Sequence, residues 1–101
     1  MRPFKHPDLD EVTLPALLHA LSDPIRLDIV QRLDREGEAS CSALDAGRPK
    51  SSMSHHFRVL RDSGLVRTRT VGASHMNSLR REEVDGRFPG LLAAVLASEA
   101  G

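Results

Sequence analysis

The residues best suited to chemistry in this chain lie between Lys50 and Arg69, in the run K-S-S-M-S-H-H-F-R-V-L-R-D-S-G-L-V-R-T-R. Met53, Phe57 and Leu60 recur at i, i+4 and i+7, one apolar stripe of a helix, while Ser51, Ser52, His55, Arg58 and Asp62 fall on its other faces. Such a helix is buried on one side and chemically equipped on the other. Short hydroxyl side chains at its start can approach phosphates or base edges, and arginines can pair with phosphate. The chemistry to expect is the reading of double-stranded DNA.

Catalysis has weaker support. The chain has no Gly-rich phosphate loop, no nucleophile elbow and no His-Glu metal motif. Ser51, Ser52 and Ser54 lie near two histidines, but an exposed helix supplies neither a water-excluding pocket nor an oxyanion hole. A protein-interaction module is the more credible alternative. Its association would be insensitive to salt, whereas DNA binding weakens steeply with salt.

The charge is zero overall and far from evenly spread. Counting Lys and Arg against Asp and Glu, residues 1–47 carry 5 and 9, residues 48–81 carry 8 and 1, and residues 82–101 carry 1 and 4. The basic middle is the electrostatic footprint of a nucleic-acid contact, and it coincides with the Ser-rich helix start.

A chain of 101 residues makes one domain with a small core. No apolar run reaches the roughly 18 residues of a membrane span, and Met1 to Asp10 is polar with two prolines, unlike a signal peptide. A soluble, cytoplasmic protein is expected, with no membrane partner and no cofactor. The lone Cys41 excludes an internal disulfide and a multi-cysteine zinc site. With three Phe and no Trp or Tyr, a stacking platform for single-stranded bases is lacking.

The elements that must position the Ser-rich helix follow from caps and periodicity. Residues 1–12 read as a loose polar arm, and residues 13–101 as the folded domain. Thr13 caps a first helix with Pro15 in its first turn and a Leu14, Leu17, Leu18, Leu21 stripe. Asp23 and Pro24 start a second helix, with Ile25, Ile29, Val30 and Leu33 inward, ending near Gly37. Ser40 caps a short third helix through Ala46, and the Arg48-Pro49 break leads into the helix Ser51 to Asp62, stopped by Gly64. These last two have the dimensions of a helix-turn-helix. Residues 65–71 and 74–79, turning at Gly72, form a two-stranded wing. Short helices follow, Arg81 to Arg87 and Pro89 to Ser98. Leu91, Leu92, Val95 and Leu96 in the last are more apolar than a monomer should expose, so a homodimer seam with Leu14, Leu17 and Leu18 is expected. Docking onto the domain's own core is the alternative. A two-fold protein would read half-sites about 34 Å apart.

Ala20-Leu21-Ser22-Asp23-Pro24-Ile25-Arg26-Leu27-Asp28-Ile29-Val30, followed by Ser51-Ser52-Met53-Ser54-His55-His56-Phe57-Arg58-Val59-Leu60-Arg61-Asp62-Ser63-Gly64-Leu65-Val66, resembles the ArsR family of bacterial winged helix-turn-helix repressors over about residues 13–97. The resemblance implies a mainly α dimer of α-α-α-α-β-β-α order that binds operator DNA and is released by a small effector, here unknown. It places Lys50, Ser51, Ser52, Ser54 and His55 at the exposed start and face of the recognition helix. Arg58, with Arg67 or Arg69 of the wing, would reach phosphate, and His75 would be a backbone contact. His56 would either touch DNA or be fixed between helices.

The chain departs from the metal-sensing members of that family. Where they carry Cys-Val-Cys at the start of the third helix, this chain has Ser40-Cys41-Ser42, and serine is a poor ligand for soft metals. Where zinc-binding members carry Asp and His two apart, Asp85-Gly86-Arg87 substitutes Arg, and residues 88–101 contain no His. His55 and His56, about 100° apart on a helix, cannot chelate one ion together. No metal site is therefore expected, and Cys41 is expected to pack as a small thiol; a repressor that responds to a metal or an oxidant through an unrecognised site is the alternative.

Overall fold

The computed structural model describes residues 4–98 and shows a mainly helical chain with one small antiparallel sheet. Helix α1 (Leu14–Leu21) is capped by Thr13, whose Oγ1 accepts from Ala16 N at 3.2 Å. Helix α2 (Pro24–Glu36) starts at Asp23, whose Oδ1 accepts from the backbone N–H groups of Ile25 and Arg26 at 2.8 and 3.1 Å. Each cap satisfies donors the first helical turn leaves open. The Asp23 carboxyl is held below its usual range: burial opposes this, but the two backbone N–H bonds and the nearby Arg26 outweigh it.

Strand β1 (Glu38–Ser40) precedes α3 (Cys41–Asp45), which Ser40 caps through Ala43 N. Helix α4 (Lys50–Asp62) leads through Gly64 into β2 (Val66–Val71) and β3 (Ser74–Leu79), and α5 (Arg81–Arg87) and α6 (Leu91–Ala97) close the chain. The sheet order is β1-β3-β2, all antiparallel, with Val66 opposite Leu79 and Ser40 opposite Met76. The third strand was not expected. Glu38-Ala39-Ser40 carries no β-branched or aromatic residue, and it becomes a strand because β3 offers it an open backbone edge. Helix α6 starts at Leu91 rather than Pro89, since Gly90 has φ +83°, outside the helical region.

One core joins the elements. Leu17, Ala20 and Leu21 of α1 meet Ile29, Val30 and Leu33 of α2, Met53, Phe57 and Leu60 of α4, and Val66, Val84 and Leu92 from the wing and tail. At the sheet centre the buried Asn77 accepts from Thr68 Oγ1 at 2.7 Å and donates Nδ2 to Ala39 O and Cys41 Sγ, both at 3.3 Å. That network fixes the wing to the strand and helix before α4.

Residues 4–12 are not a loose arm. Leu9 and Val12 are buried, His6 Nε2 accepts from Thr68 N–H at 2.9 Å, and Arg80 Nη1 donates to Pro7 O at 2.9 Å. The segment's apolar residues are too far apart to signal an element, yet they fill the space beside Gly64. A β-carbon on Gly64, at φ +85°, would lie 2.6 Å from Val12 Cγ2. Glycine is thus required there both for the turn and for the close approach. Among the described residues no helix is long and apolar enough to cross a membrane.

Candidate nucleic-acid interface

Helix α4 stands on Met53, Phe57 and Leu60, all buried, and turns Lys50, Ser51, Ser52, Ser54, His55 and Arg58 to solvent. Burial of the stripe sets the roll of the helix, so the polar residues share one outer surface by geometry rather than by contacts among themselves. Ser52 Oγ donates to Pro49 O at 3.0 Å, which leaves its lone pairs facing outward. Arg58 is well exposed and only 3.9 Å from Asp62, a weak pair that a phosphate can displace.

His56 does not share that surface. Its side chain is 12% exposed and sits between α2 and α4, with Nδ1 3.2 Å from Arg26 Nη1 and 3.9 Å from Asp23 Oδ1. Guanidinium can only donate, so Nδ1 accepts and the ring proton is on Nε2. Arg26 is itself buried. Its Nε donates to Ala20 O at 2.8 Å and its Nη2 to His19 O at 3.1 Å, closing the end of α1. Of the two readings open for His56, fixation between helices is the one this geometry gives. Arg26 was missed in the sequence because a basic residue in a helix usually signals solvent.

The wing arginines are already engaged. Arg69 holds Glu38 through Nε and Nη2 at 2.8–3.1 Å, and Arg67 Nη2 meets Glu83 at 3.1 Å. Arg80, also on Glu83, and Arg81, on Asp34 and Asp85, are likewise paired. Much of the basic middle therefore neutralises acids from the flanking thirds. His75, at the start of β3, packs edge-on to Phe4 with ring centroids 5.0 Å apart, facing the amino-terminal segment rather than the wing tip.

Comparison with known proteins places this arrangement. A family described as a helix-turn-helix domain matches residues 21–69. The arsenical resistance operon repressor of Staphylococcus xylosus is 37% identical over 73 residues, covering 71% of this chain and 70% of the relative. The chain belongs to the ArsR family. The HTH-type transcriptional regulator YceK of Bacillus subtilis (strain 168) is 34% identical over 86 residues, covering 82% of this chain and 86% of the relative. A crystal structure of an ArsR family transcriptional regulator superposes with a TM-score of 0.67 at 30% identity, covering 83% of this chain and 88% of that one. The chain is thus a DNA-binding transcriptional regulator, and its relatives are regulators rather than enzymes.

Within the ArsR frame the start of α3 is unlike a metal-sensor's. Cys41 is half-buried, and burial raises its pKa above the ordinary thiol value; the Asn77 N–H bond lowers it and Asp45 raises it further. A thiol held protonated is a poor nucleophile and a poor soft-metal ligand. Among the described residues no three His, Cys, Asp or Glu side chains come together to hold a metal ion. The rings of His55 and His56 are 5.9 Å apart and tilted by 54°.

The residues expected at an ArsR dimer seam divide in two. Leu17 and Leu92 are fully buried in the chain's own core, so they are spent on folding. Leu14 and Leu18 are 42% and 45% exposed, and Leu91, Val95 and Leu96 are half-buried at the core's edge. The alternative reading, in which the last helix docks on its own domain, holds for Leu92.

Proposed function

We propose that this regulator is a homodimeric repressor. It reads the major groove of double-stranded operator DNA with residues 51–62 and touches backbone or minor groove with the wing, residues 65–79, in the bacterial cytosol. The observation that carries the proposal is the outer face of α4, where Lys50, Ser51, Ser52, Ser54, His55 and Arg58 share one exposed surface above a buried stripe. Serine and histidine at the start of such a helix suit base edges, and Lys50 and Arg58 suit phosphates. Repression is supported by the relative named as an operon repressor. Dimerisation is supported by Leu14 and Leu18, exposed on α1, and by Leu91, Val95 and Leu96 of α6, which stay half-buried at the edge of the core. A small effector would release the dimer from DNA.

The test is fluorescence anisotropy with the DNA upstream of the protein's own gene, at two salt concentrations and with scrambled competitor. Specific, salt-sensitive binding of two protomers per site is expected. Binding without sequence preference, or without salt dependence, would instead make the chain a protein-interaction module on a winged-helix scaffold.

A further inference from the structure

The amino-terminal segment, α3, α4 and the wing enclose a cleft of about 310 Å³. That volume is at the small end of ligand sites, enough for a compact organic molecule. Arg61, near the end of α4, forms one wall. Buried Arg26 and Arg80, and half-buried Arg32 and Arg81, spend their guanidinium groups on carbonyls and carboxylates. Among the described residues Arg61 has no hydrogen-bond acceptor and no carboxylate close enough for an ion pair, and its guanidinium lies 4.5 Å over the Phe4 ring. None of its nitrogens is sealed from solvent. Burial lowers its pKa from the ordinary arginine value, Cys41 and Asp62 partly opposing, which is the mark of a desolvated cation short of an anion.

Lys50 and His75 add basic groups to the lining, against the single carboxylate of Asp45. Phe4, Met53 and Phe57 supply apolar wall on either side of the cation. A cation beside an aromatic and apolar wall matches one ligand chemistry, an oxyanion carried on a flat apolar body.

We propose that this cleft binds a small organic acid, its carboxylate on Arg61 and its apolar body between Phe4 and the Met53–Phe57 wall. The site deepens the regulator reading, and its link to DNA rests on that reading. Lys50 and Ser54 line the cleft and also stand on the outer face of α4, so an acid in the cleft competes for Lys50 and perturbs the start of the reading helix. Phe4 is held over the cleft by the segment that His6 ties to the wing and Pro7 to Arg80 just after it.

The full chain would be titrated with phenylacetate and indole-3-acetate, and with the matching neutral amides, by calorimetry and by following the Arg61 Nε–H resonance. Saturable binding of the acids, one per chain, is expected, with a shift of that resonance. The amides and the Arg61→Gln variant should bind at least about tenfold more weakly, the loss of one charge-assisted contact. Phe4→Ala, which leaves every charge in place, should also weaken the acids and serves if Arg61→Gln fails to fold. No saturation by the acids, equal affinity for acids and amides, or undiminished binding by Arg61→Gln or Phe4→Ala would overturn the site. Operator affinity is measured separately. Acid binding by a chain that ignores DNA would uphold the site and sink the regulator reading, while specific DNA binding unaffected by a bound acid would overturn the coupling alone.

Discussion

Arg26 donates its Nη1–H to Nδ1 of His56 across 3.2 Å, joining α2, which opens the ArsR motif, to α4, the helix proposed to read DNA. The same guanidinium holds the carbonyls of His19 and Ala20. One buried side chain therefore ties α1, α2 and α4 together.

Arg26→Ala should lower stability by about 2–3 kcal/mol, since it strands the Ala20 carbonyl and the His56 ring, while the His19 carbonyl keeps its bonds from Ser22. Urea unfolding checks this. His56→Ala should cost less, because the carbonyls keep their donors. Equal stability of Arg26→Ala and the parent would mean that water replaces the guanidinium.

Salt dependence of operator binding separates free from engaged cations. Arg58→Ala should flatten the slope by about one unit if Arg58 neutralises a phosphate. Glu38→Gln should steepen it, by releasing Arg69 from its carboxylate, while leaving stability within about 1 kcal/mol for an exposed pair. An unchanged slope in Glu38→Gln would place Arg69 away from the DNA backbone.

Dimerisation is best probed at exposed leucines. Leu18→Glu should give a folded monomer by light scattering and lose operator binding. Leu92→Glu should instead unfold the domain, at a cost of about 4 kcal/mol or more, because the residue is fully buried in the chain's own core. A folded, dimeric Leu18→Glu would move the seam elsewhere.

Acid should loosen the amino-terminal segment. The pKa of His6 is lowered, first by burial and then by Arg67, Arg80 and Arg61, with Glu83 opposing. The unfolded chain then takes up this proton at higher pH than the folded one. The contribution of His6 is full above about pH 6.5 and falls as pH drops below that value toward the folded pKa. Protonation of Nε2 would also remove the acceptor for Thr68 N–H. Melting temperature measured from about pH 7 down to about pH 5.5 should fall less steeply in His6→Ala than in the parent, and parallel curves would reject the role.

What the sequence determined by itself is what local rules govern. Thr13, Asp23 and Ser40 cap the helices they were expected to cap, the Met53, Phe57, Leu60 stripe fixes the roll of α4, and the wing turns at Gly72. Each depends on neighbours within a few residues, so composition and spacing suffice. The tertiary structure decided everything that depends on partners far along the chain. Strand β1 exists only because β3 lies beside it, and Leu9 and Val12 are buried only because Gly64 leaves them room. Glu38 and Glu83 take up wing arginines 31 and 16 residues away. Burial also divides the leucines between core and surface: Leu17 and Leu18 are adjacent in sequence, yet one is inside and the other outside. Arg61 reads as one more base in a basic run, and only folding sets it on a cleft wall without an anion, because a charge's partners are a property of space rather than of spacing.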